Sequence, residues 1–420
     1  MGPRQPLGDR RRSSTGHDAG PRQPPDRPWP GDWPQPVTSR TTRAAVALLC
    51  ATAVAVLPAA PAQADQIRND QWHLRYLKVA EAHKISQGVG VTVAVIDSGV
   101  DPHPDLRNNL LSGTVTYAGG SGDGRRDGDP GGHGTGMAGL VAAHGHGSNG
   151  ALGIAPKAKI LPIRDEKNRK DGTADDTAKA IEWAVSKRVG VISLSSGGGS
   201  TPRLNTALQA AFKADIVVVA AAGNRPGDLL VQFPAASPGV VAVGATDRNG
   251  NHAELSVTGK RLVISAPGVA ISSTSTDGGY RKGDGTSPST AIVAGAAALV
   301  RSKFPDLSAE EVVHRLTATA VDKGAPGRDE EYGYGVVDLV AALTADVPPL
   351  EGGAGPSTAA TPSPTSNGPD SNAAPDPDDK SNVGSTVLVI ALTALVAVGL
   401  LVTLLVLLLV RRRRRQPGAY

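Results

Sequence analysis

The chain has 420 residues, a net charge of +4 and one cysteine, Cys50. It is too long for one typical domain and, once its ends are set aside, too short for three. Eight Arg against four Asp in residues 1–64 contribute +4 and the Arg411 to Arg415 run +5, which leaves residues 65–410 at −5; the middle is therefore mildly acidic, without an evident nucleic-acid face.

Residues 1–43 are rich in Pro, Arg and Asp without an apolar period, and cannot bury a core. The apolar run from Ala44 to Leu57 follows Arg40 and Arg43 and is closed by Pro58. Ala62-Gln-Ala64 then offers small residues at the positions a signal peptidase reads, so residues 1–64 are expected to be a leader cut after Ala64. A buried helix is the alternative. Arg10 to Arg12 lie too far upstream for a twin-arginine signal, and Leu49 before Cys50 is too large for a lipoprotein signal. Cys50 leaves with the leader, so the exported chain has neither disulfide nor thiol chemistry and must rest on its core. Residues 65–90 form a short extension, too short for a packed prodomain and expected to lie on the domain.

Residues 91–345 alternate in kind. Short apolar runs read as strands at Val91 to Ile96, Lys159 to Ile163, Gly190 to Leu194, Ile216 to Ala221, Val240 to Gly244 and Leu262 to Ser265. Helical spacing appears at Met137 to Ala143, Ala174 to Lys187, Leu204 to Ala214 and Ser289 to Lys303, and Ser308-Ala-Glu-Glu311 reads as a capping box opening a helix through Thr319. Strands apolar on both faces, separated by helices, predict an α/β fold with a mostly parallel, doubly wound sheet in three layers. Chemistry in such sheets gathers at the carboxyl ends of strands. Asp97 and Asn224 each stand just after a strand run.

Residues 346–385 are Pro, Ser, Gly, Asn and Asp, a solvated tether. Thr386 to Val410 is uncharged over 25 residues; as a helix it spans about 37 Å, enough for a membrane core of about 30 Å. The Arg run in residues 411–420 holds that end in the cytoplasm. One transmembrane helix is expected, with the domain outside the cell.

Three segments carry the chemistry. Asp97 offers a carboxylate that fixes an imidazole in one tautomer, or else only caps a turn. His133, in Gly131-Gly-His-Gly-Thr-Gly136, offers a general base, or else a metal ligand with His144 and His146, although no carboxylate or thiol stands at ligand spacing. Ser287 offers a nucleophile at a helix N-cap with Pro288 at N1, or else a plain cap. Pro288 excludes the α/β-hydrolase design, whose oxyanion hole needs the N–H of the residue after the nucleophile. This serine must use its own N–H and a second donor, for which the Asn224 amide is the candidate; the alternative for Asn224 is a turn residue.

On these residues the chain resembles the subtilisin-like serine proteases, the subtilases, over residues 70–342. The resemblance rests on Val-Ile-Asp97-Ser-Gly-Val-Asp101, His-Pro-Asp105-Leu, His133-Gly-Thr, Ser-Leu-Ser195-Ser-Gly-Gly198, Ala-Ala-Gly-Asn224, Ala266-Pro-Gly268 and Gly-Thr-Ser287 with Val293-Ala-Gly295. It implies a serine endopeptidase with Asp97, His133 and Ser287 as triad and Asn224 in the oxyanion hole. Ser195, Ser196, Gly197, Ala222 and Gly223 would flank a polypeptide substrate. The calcium loops usual in secreted subtilisins are not recognisable here, so no metal or other cofactor is expected. Leader, tether and anchor further resemble the mycosins, membrane-anchored subtilases associated with type VII secretion. The chain departs from the family's Gly-Thr-Ser-Met-Ala-x-Pro at Pro288, Ser289 and Ala291, losing the later proline and gaining an earlier one, and Gly136 replaces a larger residue. A subtilase-shaped scaffold of a secretion complex with dispensable catalysis is the second reading, and a metallohydrolase using His133, His144 and His146 the third.

Overall fold

A computed structural model describes residues 63–147, 149–168 and 171–350. The chain divides into two units, Met1–Gly353 and Ala354–Tyr420, and every described residue belongs to the first. The expected leader up to residue 62, the tether beyond residue 350, the span at 386–410 and the basic tail lie outside the described residues. Among the described residues no helix is long and apolar enough to cross a membrane.

Three short helices, α1 (Gln63–Asp70), α2 (Trp72–Tyr76) and α3 (Val79–Ala82), precede the sheet. Helix α1 runs across the expected cleavage point after Ala64. The segment is held down by polar contacts as well as apolar burial. The Gln71 amide donates to the carbonyls of Leu152 and Ser272 and accepts the Leu152 N–H, and the Trp72 indole donates to the carbonyls of Val269 and Ala270.

Seven parallel strands follow: β1 (Thr92–Asp97), β2 (Thr114–Val115), β5 (Lys159–Arg164), β6 (Val191–Leu194), β7 (Val217–Ala221), β8 (Val241–Thr246) and β9 (Ile264–Pro267), in the order β2-β5-β1-β6-β7-β8-β9. The hairpin β3 (His144–His146) and β4 (Asn149–Leu152), and the pair β10 (Ile271–Thr274) and β11 (Tyr280–Gly283), stand apart. Alternate residues of each central strand enter different cores. Val93, Val95, Val191, Val217 and Val219 join the core that holds helices α4 (His133–Ala142) and α7 (Thr286–Lys303), whereas Ala94, Ile96, Ile192, Leu194 and Val218 join that of α5 (Ala174–Ser186) and α6 (Pro202–Lys213). A strand buried on both faces reads as a continuous apolar run, which is why the sequence marks these segments without alternation.

The path of the chain makes a switch point. From β1 it crosses over α4 to β5 on one side, then returns over α5 to β6 on the other. The carboxyl ends of β5, β1 and β6 therefore border one crevice, the place where doubly wound sheets bind ligands.

Helix α7 is buried continuously from Thr286 to Val300. Small residues make this close approach feasible: a Cβ on Gly295 would lie 2.6 Å from the Cβ of Ile154. Helix α8 (Ala309–Ala318) opens with both halves of the expected capping box, Ser308 Oγ accepting the Glu311 N–H and the Glu311 carboxylate accepting the Ser308 N–H. Ser308→Ala is expected to lower the stability of the domain by about 1 kcal/mol, read as a fall in thermal midpoint without loss of helix at low temperature. Helix α9 (Leu339–Thr344) closes the domain.

Candidate active site

Asp97 ends β1 and is buried. Its Oδ1 accepts the Ser98 N–H at 2.8 Å, faces the Ser98 hydroxyl at 3.1 Å, and accepts the His133 Nδ1–H at 2.8 Å. The last bond leaves Nε2 of His133 as the ring's basic nitrogen.

His133 is the first residue of α4, four residues before the start expected from sequence. The early start has a local cause. Asp129 accepts the His133 N–H at 3.0 Å, and Asp127 accepts both the N–H and the hydroxyl of Thr135 at 2.8 and 2.7 Å. These carboxylates take up N–H groups that a helix start leaves without intrahelical partners. Burial raises the Asp127 carboxyl above its usual range, with the bonds from Thr135 and Ser98 opposing. Gly134 shows why the loop is glycine-rich: a Cβ there would stand 2.1 Å from the Gly99 carbonyl and 3.2 Å from the Asp97 carboxyl. Gly136 lies against Arg281, whose Cδ would be 2.8 Å from a Cβ at 136.

Ser287 is not at the helix N-cap, as its proline neighbour suggested. The N-cap of α7 is Gly285, with φ 142°, and the helix begins at Thr286. This places Ser287 at the second and Pro288 at the third helical position. Proline is tolerated there because first-turn N–H groups need no intrahelical acceptor. The strained φ favours glycine.

Asn224, just after β7, is fixed from both ends. Its backbone N–H donates to Asp228 Oδ2 at 2.7 Å, and its side-chain Oδ1 accepts the Thr286 N–H at 2.8 Å. With its oxygen so engaged, the amide NH2 is the group left to face a ligand. Ser287 is buried and its hydroxyl donates to the Ser195 carbonyl at 3.2 Å. Ser287, His133 and Asn224 together line a cavity of about 40 Å³, with Met137 and Pro288 among its other walls.

A larger cleft of about 270 Å³ adjoins it through Asn224. Ser195, Ser196, Gly197 and Gly223 border it. Ala222 does not. It is fully buried, its N–H bound to the Val243 carbonyl and its carbonyl taking the Gln232 N–H, and Ala221 lines the cleft instead. Asp165, Glu166 and Asp228, which no motif marked, also border the cleft. Asp165 is one residue past β5, the same strand-end position that singled out Asp97 and Asn224. Burial pushes its carboxyl up to about 7, against a hydrogen bond from the Thr177 hydroxyl at 2.7 Å.

The structure does not bring His144 and His146 to His133. They follow the ten residues of α4, which place them about 15 Å away at 1.5 Å per residue. His146 is exposed and pairs with Asp105 at 2.5 Å, His144 is half-buried, and both lie on β3. Among the described residues no group of three or more His, Cys, Asp or Glu is placed to hold a metal.

An Asp–His pair and a helix-start serine, gathered at the switch point of a parallel doubly wound sheet, define a serine protease of the subtilisin type. The chain belongs to the Subtilase family, whose profile matches residues 88–335. It is similar to Mycosin-1 of Mycobacterium tuberculosis, with 33% identity across 89% of this chain and 92% of the relative, and to a thermostable alkaline protease of Halalkalibacterium halodurans, with 37% identity across 63% and 71%. Among solved structures it resembles MycP1 of Mycobacterium smegmatis, at 30% identity and a TM-score of 0.59 over 70% of this chain and 88% of that one. It also resembles the MycP3 protease from the type VII (ESX-3) secretion system, at 34% and 0.58 over 69% and 91%.

Proposed function

We propose that this protein is a membrane-anchored, extracytoplasmic serine endopeptidase acting on exported polypeptides in association with a type VII secretion system. The observation that carries the catalytic part is the 2.8 Å bond from His133 Nδ1 to Asp97 beside a cavity shared with Ser287 and Asn224. In this reading His133 Nε2 takes the proton as the Ser287 hydroxyl, released from Ser195, attacks the scissile carbonyl. The leaving amine receives that proton, and water then hydrolyses the acyl-enzyme by the same route in reverse. The developing oxyanion takes hydrogen bonds from the Asn224 amide and from the Ser287 N–H at the positive end of α7. Export and anchoring are supported by the apolar runs at 44–57 and 386–410, and the secretion context by the mycosin relatives.

The test is labelling of the full chain, in detergent, by a fluorophosphonate. Wild type is expected to label and Ser287→Ala to remain unlabelled. Equal labelling of both, or none of either, overturns the protease reading and favours the scaffold reading. Asn224→Ala is expected to lower kcat by about 10²–10³ with little change in KM, because the lost hydrogen bond forms chiefly in the transition state; steady-state kinetics on a peptide substrate checks it.

A further inference from the structure

The cleft beside the proposed active site carries three carboxylates, Asp165, Glu166 and Asp228, and among the described residues no lysine or arginine lines it. Asp228 is committed to the Asn224 N–H. Asp165 is different. Its side chain is 1% exposed, one oxygen accepts the Thr177 hydroxyl, and the other, Oδ1, is buried without a hydrogen-bond partner while its residue borders the cleft. A buried carboxylate oxygen with no donor is unfavourable unless something supplies one.

Its location says what would do so. Asp165 follows β5 and Ser195 follows β6, with β1 between them. Two strand spacings put Asp165 about 10 Å from the Ser195 backbone, a distance that an extended peptide covers in about three residues. His133, which would protonate the leaving amine, lies on the other cavity. The cleft with Asp165 therefore faces the acyl half of a bound peptide.

We infer that Asp165, supported by Glu166, is the specificity-determining carboxylate for a lysine or arginine side chain in the acyl half of the substrate. The inference rests on the protease reading above for the direction of the peptide, but not for the existence of the subsite. The cation supplies the donor that Oδ1 lacks and offsets the negative charge of the cleft. Proton linkage gives the inference a second signature. The Asp165 carboxyl is held near 7 by burial, and Asp97 from the end of β1 and Asp176 from α5 raise it further. Among the described residues, Glu166 on its own loop and Asp228 across the cleft line it too, Lys179 pairs with Asp176, Arg164 donates to the Glu166 carbonyl, and His133 pairs with Asp97. A carboxyl with a raised pKa is neutral below that value and charged above it. Preference for a cation must therefore strengthen as pH rises through about 7.

The experiment uses the full chain with Ser287→Ala, which removes turnover from the measurement. Labelled pentapeptides carrying lysine or norleucine at each position in turn are titrated by fluorescence polarisation. At one position lysine is expected to bind at least about tenfold tighter than norleucine, with the ratio growing from about pH 6 to about pH 8. Adding Asp165→Asn is expected to abolish the difference while leaving norleucine affinity unchanged. Equal affinity for lysine and norleucine at every position overturns the inference, as does a lysine preference that survives Asp165→Asn. Thermal melting checks that each variant is folded. Fluorophosphonate labelling of the wild type reads the catalytic proposal separately, so each can fail without the other.

Discussion

Ser287→Ala is expected to lower kcat by about 10⁶-fold, the scale of loss known for the nucleophile of subtilisin in the same family. The substitution removes one oxygen from a buried side chain. Alanine fits the space, and only the 3.2 Å bond to the Ser195 carbonyl is lost, at a stability cost of about 1 kcal/mol. Almost all of the effect therefore falls on chemistry. Removing His133 as well should cost little more, because the two groups act as a unit: without the nucleophile there is no proton for Nε2 to take. The residue of activity, about 10³–10⁴ over water, would come from the Asn224 amide and from peptide binding. Kinetics of Ser287→Ala, His133→Ala and the double variant on one peptide substrate supply the check. Losses that multiply in the double variant, or a Ser287→Ala enzyme within tenfold of wild type, would show that Ser287 is not the nucleophile.

Sequence and structure agree where one short segment carries its own reason. Asp97 is legible because a fully buried strand must be apolar to its end, so a carboxylate at that end stands out. The parallel sheet is legible for the same reason. Disagreement arises where long-range contacts decide. Pro288 locally reads as a helix start, yet α7 begins at Thr286 because Asn224, 62 residues earlier, accepts the Thr286 N–H. The helix at His133 starts early because Asp127 and Asp129 fold back onto its first turn. Asp165 follows a readable strand, but nothing in its neighbours announces that burial and the Thr177 hydroxyl would shape its surroundings. Ala222 and Ala221 are indistinguishable in sequence, and only the pairing of Ala222 with Val243 and Gln232 shows which of them borders the cleft.

Asp97→Asn is expected to lower kcat by about 10⁴-fold with KM little changed, since Asp97 touches His133 and not the substrate. An asparagine can sit in two ways. With its oxygen in the place of Oδ1 it keeps the bonds to Ser98 and His133 but loses the negative charge that stabilises an imidazolium. With its nitrogen there it opposes the Ser98 N–H at a 2.8 Å separation and demands the His133 tautomer whose proton is on Nε2, which cannot act as base. Either arrangement removes transition-state stabilisation while leaving the cleft intact. A large rise in KM, or a loss of folded protein that accounts for the lost rate, would overturn this assignment. The same substitution reaches Asp165. Its carboxyl is raised in part by the Asp97 charge, and removal of a like charge lowers a carboxyl pKa. In the Ser287→Ala background, Asp97→Asn should therefore move the onset of lysine preference to lower pH without abolishing it. An unmoved onset would mean that the titrating group in the cleft is not the one beside Asp97.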